Sequence, residues 1–166
     1  DMSIELYSRG EFAHNSPLLA FIIDAMSEIK FFHPIEVRYG DLDPQGHLNN
    51  AKYLTYFEQA RIRYFVSLEL FEPGQSFMDI GVILAEAKVT YLAPVEYGTP
   101  VKAGVCTCKL GNKSMTVKQS ILHAETGEVY ASGYVILVTF DYHTQKTIPI
   151  PVEMREKISA FEGYNS

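Results

Sequence analysis

Hydrophobic and polar positions change period several times along this chain. From Ile35 to Tyr39 the apolar residues alternate with Glu36 and Arg38, the period-two pattern of a half-buried strand. A polar, glycine-containing loop follows, from Gly40 to Asn49. Between Asn50 and Leu70 the period lengthens: Leu54, Phe57, Ile62, Phe65 and Leu68, with no Pro or Gly, predict one helix of about six turns. Asn49 is placed to be its N-cap. Tyr53, Tyr56 and Tyr64 add bulk around the same helix, so it is expected to be enclosed rather than lying on a surface. Beyond Gly81, the runs Val82 to Leu92, Val101 to Leu110, Met115 to His123 and Val129 to Phe140 have strand composition. Turn signals at Ala93-Pro94, Gly98-Thr99-Pro100, Gly111-Asn112 and Glu125-Thr126-Gly127 separate them and predict antiparallel neighbours. Val152 to Glu162, after Pro151, returns to helical spacing. One strand, one long helix and a four-stranded meander make an α+β arrangement in which an antiparallel sheet wraps the helix.

The first 25 residues show no sustained period. Met26 is expected to be the natural start, with 1–25 an appended extension; the rival expectation is an N-terminal arm whose Leu18 to Ile23 patch docks on a partner subunit. Residues 26–166 then form a single domain. The Leu18 to Ile23 run is far shorter than the roughly 20 residues that cross a bilayer, and Glu5 and Glu11 offset Arg9, against a secretory leader. No membrane partner is expected. Hydrophobic residues at 47% and charged residues at 20% are those of a globular domain. Fourteen basic against twenty acidic residues, a net charge of -6 with no Lys/Arg cluster, lack the footprint that binds phosphate backbones, so nucleic acid is not an expected partner. Cys106 and Cys108, two apart in a strand, are poorly set for a mutual disulfide and suit a reducing cytoplasm. No second pair completes a zinc site, and His14, His33, His123 and His143 lack ligand spacing, so no metal is expected.

Chemistry concentrates in RYGDLDPQGHLNNAKYLTYFEQAR, Arg38 to Arg61. Two acids, a histidine, a glycine and two asparagines fill the strand-to-helix connection. Asp43 stands seven residues ahead of a helix whose first turn, near Asn50 and Ala51, offers unpaired backbone N–H groups. Such a terminus can hold a developing oxyanion. The bland alternative is that Asp41, Asp43 and Asn49 only shape and cap the loop.

This segment resembles the strand-to-helix motif of the 4-hydroxybenzoyl-CoA thioesterase-like hotdog family, in which a strand ends in D-x-D-x-x-G before a central helix. The resemblance continues through VTYLAPVEYGTPV, LGNKSMTV and ETGEVYASGYVILVTFD, and GHLNNAKY is similar to the HVNNxxY motif of acyl-ACP thioesterases. It implies a hotdog fold and hydrolysis of acyl-CoA, or of an acyl-ACP thioester, to a carboxylic acid and free thiol, without a cofactor, since CoA is part of the substrate. Carried over, the catalytic carboxylate falls on Asp43, as nucleophile or general base, and the carbonyl-polarising N–H on Asn50. Asp41 becomes a loop-shaping residue. The acyl-ACP pattern puts a histidine on His47, as proton relay or pantetheine contact, but Gln45 replaces that pattern's assisting Asn. Gly46, Asn49 and Tyr53 are counted with the substrate-contacting residues. Lys113 and Ser114 lie where the family contacts the nucleotide of CoA, unless they are simply a solvated turn. Glu58 matches a helix Glu of a second hotdog subfamily without its glycine pattern, and is read as a partner of Arg61 or Arg63. The family builds its sites between subunits, so a homodimer or homotetramer is expected.

Two other classes compete. A non-catalytic acyl-thioester-binding hotdog protein has no use for a carboxylate aimed at the carbonyl. A hotdog hydratase pairs a His with an acid on the helix, whereas Asp43 precedes it.

Overall fold

The computed structural model describes residues 29–71, 74, 76, 78 and 81–164. The expectations for 1–25 and for a start at Met26 lie outside the described residues. In chain order the elements are β1 (Phe31–Ile35), a 3-10 turn (Tyr39–Asp41), α1 (Asn50–Ser67), β2 (Val82–Tyr91), β3 (Val101–Leu110), β4 (Ser114–His123), β5 (Val129–Asp141), β6 (Lys146–Thr147) and α2 (Val152–Glu162).

Strands β2 to β5 and both helices fall where the periodicity puts them, within a few residues at their ends, and the two-residue β6 was not expected. The first strand does not. Its ladder with β3 runs from Phe31 opposite Val105 to Ile35 opposite Val101 and stops there, so the strand lies four residues earlier than the alternation of Ile35 to Tyr39 implied. Val37 is nevertheless buried, at 6% exposure. The alternation registered the inward side at Ile35 and Val37, and it fails at Tyr39, which is exposed where the chain turns into the 3-10 segment.

The sheet order is β1-β3-β4-β5-β2, antiparallel throughout, with β6 paired to β5. Only β3, β4 and β5 form a meander. Strand β2 pairs with β5 at the far edge, Tyr91 opposite Ala131, so the expected four-stranded meander is corrected. The Ala93-Pro94 and Gly98-Thr99-Pro100 signals belong to one connection that crosses the end of the sheet. Turn chemistry is local and marks where a strand stops; it carries no record of which strand is met next.

Helix α1 starts because Asn49 caps it: its side chain accepts from the Ala51 N–H at 3.0 Å, and φ -58, ψ 134 at Asn49 is the non-helical backbone of a cap. One face then carries Tyr53, Tyr56, Phe57, Ala60, Tyr64 and Phe65, spaced three and four apart. It packs on the inward positions, spaced by two, of β3 (Val101, Ala103, Val105), β4 (Met115, Val117, Ile121) and β5 (Val135, Leu137). Each large side chain buried there contributes about 1.5–3 kcal/mol. The expectation of a fully enclosed helix is corrected as well: Leu54 and Ile62 are each 44% exposed. The chain's own sheet covers one side of the helix and leaves the other open. Within the buried face, Arg61 donates to Gln119 Oε1 at 3.2 Å, and the Gln119 amide donates to the Phe57 carbonyl at 2.5 Å. Glu58 is the ion partner of Arg61 that its spacing implied, at 3.9 Å and mostly in solvent. This is the hotdog fold: one long helix laid in the palm of an antiparallel sheet.

Candidate active site

The loop between the 3-10 turn and α1 is closed by its own backbone. Asn49 N–H donates to Asp41 O at 2.9 Å, Asp43 N–H to His47 O at 2.8 Å, and Gly46 N–H to Asp43 O at 3.0 Å. Gly46 has φ +83, a left-handed conformation that a side chain would strain, so glycine at the loop tip meets a backbone need. The connection between β2 and β3 grips the loop from outside: Leu48 N–H donates to Val95 O at 2.7 Å, and His47 bridges to Glu96.

Asp41 anchors this loop to the helix. Its carboxylate is almost wholly buried, at 2% exposure, and accepts from Arg38 Nε at 3.0 Å and from the Tyr56 hydroxyl at 2.8 Å. Lys52 Nζ lies 3.2 Å away. The Arg38 guanidinium above all, with Tyr56 and Lys52, holds Asp41 well below the usual carboxylate range, and burial beside Asp41 pushes the Tyr56 phenol up. A carboxyl whose folded pKa is depressed contributes stability that is complete above the unfolded value of about 3.9 and is lost as pH falls toward the folded value. Destabilisation from this carboxyl should therefore set in as pH drops below about 4. Asp41→Asn should cost about 2–3 kcal/mol, since charge-assisted bonds are lost while Arg38 and Lys52 return to solvent. Urea titrations at pH 7 and pH 3 check both statements; a variant as stable as the wild type at pH 7 would refute the anchoring role.

Asp43 divides its two oxygens. Oδ1 accepts from Gln45 N–H at 2.9 Å and His47 N–H at 3.2 Å, so the loop-shaping use of this residue is real. Oδ2 has no hydrogen-bond donor among the described residues. The His47 imidazole likewise meets no hydrogen-bond partner among them, while its backbone is paired on both sides. Asn50 is the first residue of α1, and its N–H finds no acceptor among the described residues, as expected of a helix start. An uncommitted carboxylate oxygen, an uncommitted imidazole and a bare helix N–H thus share one short, tightly closed connection. Such a set can direct a nucleophile at a carbonyl and receive the charge that develops on its oxygen.

Other residues singled out in the sequence are placed differently. Tyr53 is buried, at 3% exposure, and lies edge-on against Tyr91 with ring centroids 5.0 Å apart. Tyr91 is the exposed member of the pair and donates its hydroxyl to Asn50 O at 3.1 Å. Lys113 sits in the β3–β4 turn and Ser114 opens β4; Lys113 Nζ donates to Thr147 O at 3.0 Å. The ten residues of β3 separate that turn from the end of the sheet where Ile35 leads into the loop, a span of about 30 Å. One chain does not bring Lys113 and Asp43 together. Sequence reasoning passed over Tyr91, which reads as an ordinary strand aromatic. It also passed over the edge-on pair Tyr39 and Tyr97, 80% and 62% exposed, which stand in the two segments that build and grip the loop. Their signal was exposure, which a sequence does not carry. His123 Nδ1 accepts from the Glu125 and Thr126 N–H groups and so caps its turn. Among the described residues no group of three or more His, Cys, Asp or Glu is arranged to hold a metal, and no helix is long and apolar enough to cross a membrane.

Comparison with known proteins gives concordant matches. The family model of the Thioesterase-like superfamily matches residues 37–158, well over half of the chain. The long-chain acyl-CoA thioesterase FadM of Escherichia coli is 28% identical over 124 residues, 75% of this chain and 93% of FadM. Among solved structures, a thioesterase from Thermus thermophilus, complexed with coenzyme A and Zn, is 34% identical with a TM-score of 0.73, covering 85% of this chain and all of that one. A predicted thioesterase from Bacillus stearothermophilus is 31% identical with a TM-score of 0.71, covering 78% of this chain and 94% of that one.

Proposed function

This chain belongs to the thioesterase-like superfamily, and from that premise we propose that it is an acyl-CoA hydrolase in which Asp43 supplies the attacking or activating carboxylate. The reading is carried by one observation: among the described residues Asp43 keeps an oxygen without a donor, in the same closed loop that ends on an Asn50 N–H to which they offer no acceptor. The thioester carbonyl oxygen is received by the Asn50 N–H. Asp43 either adds to the carbonyl carbon, giving a mixed anhydride that water opens, or takes a proton from the water that adds. The thiolate leaves as the conjugate base of a thiol with pKa of about 8.5 as a guide, so no strong general acid is needed. His47, half-buried in the loop, relays protons or contacts the pantetheine arm. Gly46 and Asn49 shape the floor on which that arm lies.

The coenzyme A bound by the Thermus relative and the substrate named for FadM support CoA as carrier, with acyl carrier protein as the alternative. A screen of acyl-CoAs from short to long chains, read by free-thiol release, tests the activity. A chain that binds these esters and releases no thiol from any of them is a binding module.

The working unit is an oligomer, a homodimer or homotetramer. Strand β2 has no neighbour on its outer side among the described residues, Leu84 in it is 53% exposed, and Leu54 and Ile62 are apolar side chains left on the open side of α1, on either side of Glu58. If Lys113 and Ser114 meet the nucleotide of CoA, they do so from a second subunit, because their own chain holds them at the far end of the sheet. Sedimentation velocity should give at least a dimer; a stable, active monomer would overturn this.

A further inference from the structure

A hydrogen bond that ties the start of α1 to the edge of the sheet is made by a residue outside the loop. Three bonds fix residue 50. The Asn49 side chain holds the Ala51 N–H at 3.0 Å, the Asn49 N–H is held by Asp41 O at 2.9 Å, and the Tyr91 hydroxyl donates to Asn50 O at 3.1 Å. The first two belong to the loop and its helix. The third comes from the last residue of β2, 41 positions away in sequence. The carbonyl it meets belongs to a helical residue, which also accepts the ordinary bond from four positions on, so the hydroxyl is not needed to satisfy that oxygen. Nor does burial explain it: Tyr91 is 42% exposed, and the contact with Tyr53 is made by its ring, not its hydroxyl.

We propose that Tyr91 is a positioning residue of the thioester site, its hydroxyl setting the orientation of residue 50 so that the Asn50 N–H meets the carbonyl oxygen as charge develops on it. The proposal rests on the thioesterase reading above. A donor that serves an oxyanion must be held in place before the reaction, because its strength depends steeply on distance and angle. A slackened donor weakens the transition state more than the ground state, where the carbonyl carries little charge. The loss then falls on kcat and spares KM.

Tyr91→Phe removes the hydroxyl and keeps the ring on Tyr53. It should lower kcat about five- to tenfold, the loss of roughly one hydrogen bond, with KM within about twofold and the melting temperature near the wild-type value. In an Asn50→Pro background, where the N–H is already gone, the same change should cost nothing further. A Tyr91→Phe enzyme with wild-type kcat overturns the proposal alone. So does a loss that persists undiminished in the Asn50→Pro background, or one that tracks a fall in melting temperature. A wild-type chain that releases no thiol from any acyl-CoA overturns the thioesterase reading and this proposal with it.

Discussion

Replacing Asp43 by asparagine is expected to lower acyl-CoA turnover by about two or more orders of magnitude, the range for losing a general base, while leaving the fold and substrate binding close to those of the wild type. The structure makes this substitution unusually clean. The two N–H groups of Gln45 and His47 that Oδ1 accepts can be accepted equally by an asparagine carbonyl oxygen, so the loop keeps its shape. What changes is the other arm: an oxygen without a donor among the described residues becomes an amide nitrogen that neither attacks nor accepts a proton. Both routes through Asp43 end there. Glu58→Gln, made in parallel, should change turnover far less, because Glu58 is mostly in solvent and its ion pair with Arg61 is long, at 3.9 Å. Steady-state thiol release decides the matter, with circular dichroism as the control for folding. Near-normal turnover in Asp43→Asn, or its abolition by Glu58→Gln alone, would mean the catalytic carboxylate is misassigned.

Asn50→Pro should lower kcat by about two to three orders of magnitude, as the loss of one oxyanion donor does elsewhere, with the helix intact. Proline at the first helical position is well tolerated, since the N–H it lacks has no helical acceptor and its fixed φ suits the turn. The residue before it must be extended, and Asn49 already is, with ψ 134. Asn50→Ala is the paired control: it removes the side chain, keeps the N–H, and should stay close to wild type. Equal losses in the two variants would shift the role to the Asn50 side chain, and no loss in either would remove residue 50 from the site.

Much of this site could be read from the chain in order. A cap at Asn49, a glycine at position 46 and a helix free of Pro and Gly from residue 50 are requirements of neighbouring backbone atoms. They leave their mark within a few residues: the cap and the helix start fall where they were expected, and the left-handed backbone at Gly46, which the sequence pointed to only as a substrate contact, is added by the structure. The inward side of the strands was legible for the same reason, since side chains alternate whether or not a partner strand is known. Val37, outside any strand, kept the inward position its alternation gave it, whereas Tyr39, two residues on, turned outward with the 3-10 segment.

What the tertiary structure alone decided concerns residues far apart in sequence. That β2 pairs with β5 rather than β3, that Tyr91 covers Tyr53 and holds Asn50, and that Lys113 lies at the opposite end of the sheet from Asp43 all depend on strand order. Strand order is set by how the whole set of apolar faces is buried together, and no single segment carries it. The same holds for Asp41 and Asp43, two acids one residue apart in DLD. The first is buried and ionised because Arg38, Lys52 and Tyr56 converge on it from the turn and the helix, and the second keeps an oxygen unclaimed because nothing among the described residues does the same for it. Their difference is one of surroundings, and surroundings exist only once the chain has folded.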